Sequence, residues 1–124
     1  MTVAYDPDNI FARILRGEIP CDKVFEDDHV LAFNDVNPQA PVHILVIPKG
    51  AYVSWHDFTG HASDAEITAL MRAVGRIAAD QGLLEGGYRT LVNNGPDANQ
   101  EVPHLHIHIF AGQPLGRMIK PPRK

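Results

Sequence analysis

Cysteine occurs once in the 124-residue chain, at Cys21, so no internal disulfide can staple the fold. Long apolar runs are missing too: no stretch approaches the roughly 20 residues of a membrane span, or the apolar heart of an export signal. These absences set the expectation of a cytoplasmic protein that works in a reducing compartment and does not meet a membrane. An excess of positive charge is also lacking. With 11 Lys and Arg against 15 Asp and Glu, the net charge is −4, which argues against a general nucleic-acid surface, where clustered cations must displace counterions. Small phosphorylated ligands stay open, since backbone N–H groups and neutral His, Asn or Gln donors can hold them. Internal repeats and low-complexity blocks are absent. A hydrophobic content of 44% can fill one core, and a single domain over residues 1–124 is expected.

Against this spare background the periodic segments stand out. Residues 8–16 predict a short helix, capped at Asp8 or Asn9, with Ile10, Phe11, Ile14 and Leu15 on one face and Gly17 at its end. Lys23 to Glu26 and Val30 to Phe33 flank the polar turn Asp27-Asp28-His29 and predict a hairpin. Val42 to Ile47 is nearly continuous in apolar residues and predicts a central strand. Ser63 and Glu66 have capping-box spacing, and the apolar positions that follow predict a long helix to about Gln81, ended by Gly82. Tyr88 to Asn93 and Val102 to Phe110 predict two more strands, and the Pro- and Gly-containing tail from about residue 112 is read as irregular. Two helices and five mainly antiparallel strands make an α+β domain, with helices on one face of the sheet and the other face left for ligand.

The segment Pro103-His104-Leu105-His106-Ile107-His108-Ile109-Phe110 is the most informative in the chain. Alternation on a strand puts His104, His106 and His108 on one side and Leu105, Ile107 and Ile109 on the other. With seven His available, shuffling yields such a pattern in roughly one chain in fifty, so chance explains it poorly. Three readings stand. One is a solvated strand face. A second is a metal site, where His at i and i+2 could share a zinc ion and draw on His43, Asp35 or Glu101; a third ligand at i+4 lies about 13 Å along the strand and is harder to recruit. The last is phosphoryl or nucleotidyl transfer, in which a neutral nitrogen of His106 attacks phosphorus while His104 and His108 position it, contact phosphate oxygens or pass a proton. His43 interrupts an apolar strand and needs a hydrogen-bond partner there, which favours a place in the cluster over a satisfied core histidine. His29, His56 and His61 read as surface residues, and Trp55 as a packing anchor.

The triad does not stand alone. Ile10-Phe11, Gly17-Glu18-Ile19-Pro20, Phe25-Glu26-Asp27-Asp28, Ala32-Phe33-Asn34-Asp35, Pro38 to His43, Val46 to Lys49, Asn93-Asn94-Gly95 and Gln100 to Pro103 occur in the same order as in the histidine triad family. Between about Asn9 and Gly116 the chain resembles that family, and within it the bacterial HINT-type branch of nucleotide-binding phosphoramidate hydrolases. The resemblance implies a purine nucleoside monophosphate with its phosphate against the triad, His106 as nucleophile, and a nucleotidyl-histidine cleared by water, with no metal or cofactor required. It further implies that Asp35 holds the ribose hydroxyls, that Ile10, Phe11, Ile14, Ile19, Phe33 and Val36 line the base pocket, and that Asn93, Asn99, Gln100 and Glu101 meet phosphate or leaving group. His43 would support the triad, and a homodimer is implied. Alternatives within this resemblance are a dinucleoside polyphosphate hydrolase and a regulatory nucleotide-binding module. Three departures mark this chain: Glu101 replaces a common Ser or Thr, Ala51 replaces a common His, and Met118 to Lys124 carries no aromatic anchor.

Overall fold

A computed structural model describes residues 4–119. The hairpin forms as the polar turn demands. Strand β1 (Lys23–Glu26) pairs antiparallel with β2 (Val30–Asn34), and Asp27 closes the turn by accepting from the His29 and Val30 amides at 2.8 Å each. β3 (Val42–Pro48) pairs with β2 on one side and with β5 (Ile107–Ala111) on the other, while the three-residue β4 (Arg89–Leu91) forms the edge beyond β5. The order is therefore β1-β2-β3-β5-β4, antiparallel throughout.

Alternation gives this sheet two apolar faces. Val30, Ala32, Ile44, Val46, Ile107 and Ile109 join one cluster with Leu70, Ala73 and Ile77 of helix α3 (Asp64–Asp80). The predicted capping box is present: Glu66 N–H donates to Ser63 Oγ at 3.1 Å, and Ser63 N–H donates back to the Glu66 carboxylate at 3.1 Å. Gln81 caps the far end, and Gly82 takes the left-handed φ of 73° that a side chain would resist. Leu31, Phe33, Leu45 and Ile47 face the other way and pack against Phe11 of helix α1 (Ile10–Leu15), whose first turn is capped by Asn9 accepting from the Ala12 amide at 2.9 Å.

Four expectations need correction. The described residues hold three α-helices, not two, because Ser54 caps an additional helix α2 (Trp55–His61) that buries Phe58. Residues Tyr88, Val92 and Asn93 fall outside β4. β5 begins at Ile107 instead of Val102, since Pro103 offers no amide and the preceding backbone leaves the sheet, its Leu105 amide donating to the Tyr52 carbonyl at 2.8 Å. Lastly, the histidine face is not open. Phe11 of α1 and Tyr5 pack against His104 and His106, which are buried, as is His43 beside His108 and Phe110, while His108 is half-buried. Residues 112–119 carry neither helix nor strand, as expected, while the rest of the tail lies outside the described residues.

Candidate active site

β3 and β5 bring His43 and His108 together. Val42 to Val46 pairs with Ile107 to Ala111, which sets His43 opposite Phe110 and His108 opposite Leu45 on the face that α1 covers. The protonation of each ring then follows from its partners. The Gln39 amide donates to His43 Nδ1 at 3.1 Å, so that nitrogen carries the lone pair and Nε2 the proton. His43 Nε2–H in turn donates to His108 Nδ1 at 2.9 Å. His108 therefore holds its own proton on Nε2, and this nitrogen is the only buried side-chain N or O without a hydrogen-bond partner among the described residues. A buried donor left unpaired costs about 1–3 kcal/mol, which a ligand oxygen can recover.

His106 is fixed from the opposite side. Its Nδ1 lies 2.7 Å from the His104 carbonyl, which can only accept, so Nδ1 is protonated and Nε2 keeps the lone pair. The ring of Phe11 stands edge-on to it with centroids 5.0 Å apart, and the His108 ring lies 4.9 Å away. Burial lowers the proton affinity of His106, with the His104 carbonyl, Asp35 and Glu101 opposing that shift. His108 is pushed down to about 4 by burial first and by the neighbouring His106 and His43 second. His43 is likewise lowered by burial, against the pull of Asp35. Near neutral pH the rings are neutral, as nucleophilic attack requires.

His104 has a different place from the one its spacing implies. It is fully buried, its Nε2–H donates to the Pro48 carbonyl at 2.8 Å, and its Nδ1 accepts from the Tyr5 hydroxyl at 2.7 Å. Both ring nitrogens are spent, so the expectation that its side chain contacts phosphate or passes a proton gives way to a positioning role through its carbonyl. Burial holds this ring at about 4.

The remaining predicted site residues divide into groups. Phe11 and Phe33 are buried in T-shaped contact at 5.6 Å, and Ile14 packs beside them. Ile10 is 47% exposed, Val36 is 88% exposed and Ile19 is half-buried, so these three side chains keep free surface. Asp35 spends Oδ1 on the Asn37 amide at 2.9 Å and points Oδ2 toward His43 Nε2 at 3.5 Å. Gln100 is bound into the scaffold: its Oε1 accepts from Gly95 N–H and its Nε2 donates to the carbonyls of Val53 and Val102, which leaves its expected substrate contact without a free donor. Asn93 is half-buried, Asn99 is exposed in a left-handed conformation with φ of 58°, and Glu101 is exposed. Tyr5 and the Gln39 amide were not legible as site groups. Neither belongs to a chemical motif, and the second acts through its backbone. Among the described residues no three His, Cys, Asp or Glu side chains come together in an arrangement that could hold a metal ion.

The fold is similar to that of solved proteins. A histidine triad protein from Clostridium difficile superposes with a TM-score of 0.80 at 45% identity, covering 92% of this chain and 98% of that one. The HIT domain family matches residues 16–115. This chain belongs to the HIT family. Among its relatives, an uncharacterized 13.2 kDa HIT-like protein of Azospirillum brasilense is 66% identical over 119 residues, covering 96% of this chain and 98% of the relative. The purine nucleoside phosphoramidase of Escherichia coli K12 is 40% identical over 112 residues, covering 90% and 93% respectively.

Proposed function

We propose that this protein hydrolyses purine nucleoside phosphoramidates, or related nucleotidyl conjugates, through a nucleotidyl-His106 intermediate. One observation carries the reading: His106 Nε2 bears a lone pair with no hydrogen-bond partner among the described residues, beside the unpaired N–H of His108. Likeness to the Escherichia coli phosphoramidase supports the substrate class.

In the first step His106 Nε2 attacks phosphorus, an N–P bond forms, and the bond to the leaving nitrogen breaks. The amine departs with one proton taken from solvent, which the second step returns. His108 Nε2–H donates to a phosphoryl oxygen as charge builds there, a preorganised donor of the kind that lowers such barriers by several kcal/mol. In the second step water attacks phosphorus, the N–P electron pair returns to Nε2, and a proton goes back to solvent. Phe11 and Phe33, with Ile10, Ile19 and Val36, serve the base, and Asp35 serves the ribose, its Oδ2 exchanging the His43 contact for hydroxyl donors. Asn93, Asn99 and Glu101 border the leaving group.

A homodimer fits the same reading. β4 is a short, open edge, and an apolar hollow of about 270 Å³ beside it is lined by Trp55, Met71, Val74 and Leu91.

The test is chemical trapping. Incubated with labelled adenosine phosphoramidate and quenched in base, the wild type retains label on histidine, and His106→Ala retains none and loses turnover while still binding AMP. Undiminished turnover in His106→Ala ends this account.

A further inference from the structure

The buried hydrogen bonds of the triad end in a residue outside the HIT domain match. That match begins at residue 16, and Tyr5 precedes it. The Tyr5 hydroxyl lies 2.7 Å from His104 Nδ1, with the two rings edge to face at 5.5 Å and 68°. Because the Pro48 carbonyl already takes the proton of His104 Nε2, Nδ1 is a lone pair and Tyr5 must be the donor. No other donor among the described residues reaches that nitrogen, and His104 is closed to solvent. Loss of the hydroxyl would strand a buried acceptor or let the ring tilt, while the Pro48 carbonyl keeps the proton on Nε2.

Either response reaches His106. The carbonyl of His104 is the group that accepts from His106 Nδ1 at 2.7 Å and so keeps the lone pair on the opposite nitrogen. A ring that tilts at position 104 moves that carbonyl by way of its own backbone.

Tyr5 is also held in place by local structure. The Asn9 amide and side-chain Nδ2 both donate to the Asp6 carbonyl, at 3.2 and 2.8 Å, and Arg16 Nη1 donates to the Pro7 carbonyl at 2.6 Å. Asn9 is at once the cap of α1, whose Phe11 abuts both His104 and His106. The turn that presents Tyr5 to the triad is thus continuous with the helix that covers it.

We infer that Tyr5 is a positioning residue for the nucleophile: its hydroxyl, donating to Nδ1, holds the His104 ring in place against Pro48, and His104 in turn aims His106. The inference rests on the reading of His106 as nucleophile given above, yet its structural half can be measured without turnover.

The experiment compares wild type with Tyr5→Phe, which keeps the ring and its packing, by 15N spectra of labelled histidine and by steady-state kinetics on adenosine phosphoramidate. Expected are a wild type with His104 protonated on Nε2 and His106 on Nδ1, and a variant in which the His104 Nδ1 signal shifts as its hydrogen bond is lost, Nε2 stays protonated against Pro48, and the His106 signals shift with the ring. In that variant kcat falls about tenfold, the scale of an impaired orientation effect, and KM stays within about twofold. In a His104→Ala background, where no side chain is left to accept from the hydroxyl, the Tyr5→Phe change should have less than a twofold effect on kcat, because the path runs through the imidazole. Unchanged His104 and His106 nitrogen signals together with unchanged kcat would overturn the inference, as would an equal loss of kcat with or without the His104 ring. If the wild type proves inactive on phosphoramidates, the function proposed above fails while the spectra still decide whether Tyr5 holds the His104 ring and, through it, His106.

Discussion

The fully buried His104 makes stability depend on pH in a direction and by an amount that the structure specifies. Its ring sits at about 4 in the fold, against 6.5 for an ordinary imidazole, because burial penalises the charged form. Above pH 6.5 it is neutral in folded and unfolded chains alike, and its contribution is fully present. Between 6.5 and 4 the unfolded chain binds a proton that the folded chain refuses, so stability falls as pH falls. Each pH unit in that interval is worth about 1.4 kcal/mol per proton, which accumulates to about 3 kcal/mol near pH 4. His43, His106 and His108 are shifted in the same direction and add to the slope. Denaturant unfolding, followed by far-ultraviolet circular dichroism at several pH values from 7.5 to 4.5, measures the effect. His104→Gln is the control, since an amide can donate to Pro48 and accept from Tyr5 but does not titrate. Its slope should be shallower than the wild type's by about 1.4 kcal/mol per pH unit across the interval. Equal slopes in the two proteins, or a wild type of constant stability from pH 7 to 5, would refute the reasoning.

Two further outcomes follow. His43→Phe removes the N–H that donates to His108 Nδ1 at 2.9 Å and frees the His108 proton to change nitrogen; kcat for adenosine phosphoramidate should fall by about 10- to 100-fold, the usual scale of a lost proton-positioning group, with KM little altered in steady-state assays. Exhaustive chelation, with the residual metal content measured, should leave turnover unchanged; activity lost on chelation and restored by zinc would instead return the metal reading.

Much of this architecture was legible in the chain. Helix α3 carried both a capping box and a long apolar period, and the two signals marked the same element. β2 and β3 were legible as apolar runs between polar turns, although their burial on both faces erased the alternation that would have assigned sides. α2 was not legible, because seven residues, WHDFTGH, bury one side chain and show too little period to separate from a loop. The triad was plain as a pattern, but its surroundings were not. That α1 sets Phe11 against His104 and His106 is a tertiary fact, and these two rings, expected on an open face, are buried. The groups that set the tautomers are the Gln39 amide and the carbonyls of Pro48 and His104, and the group that steadies His104 is a tyrosine 99 positions from its partner. Backbone groups are the same at every position, so no residue pattern announces them.

Those groups also bear on the choice between a metal and a phosphorus centre. A metal held by two imidazoles needs two lone pairs pointing at one place. Here the bonds leave His106 Nε2 as a lone pair and His108 Nε2 as an N–H, on rings whose centroids are 4.9 Å apart. Supplying a second lone pair would require His108 to move its proton to Nδ1, where it would meet the proton on His43 Nε2. His43 would then have to move its own proton to Nδ1, against the Gln39 amide. A phosphoryl group meets the existing pattern with no such reversal, since it offers an electrophilic atom to the lone pair and, bonded to that atom, an oxygen to the N–H. The fixed amide of Gln39 thus sets, two rings away, which chemistry the site favours.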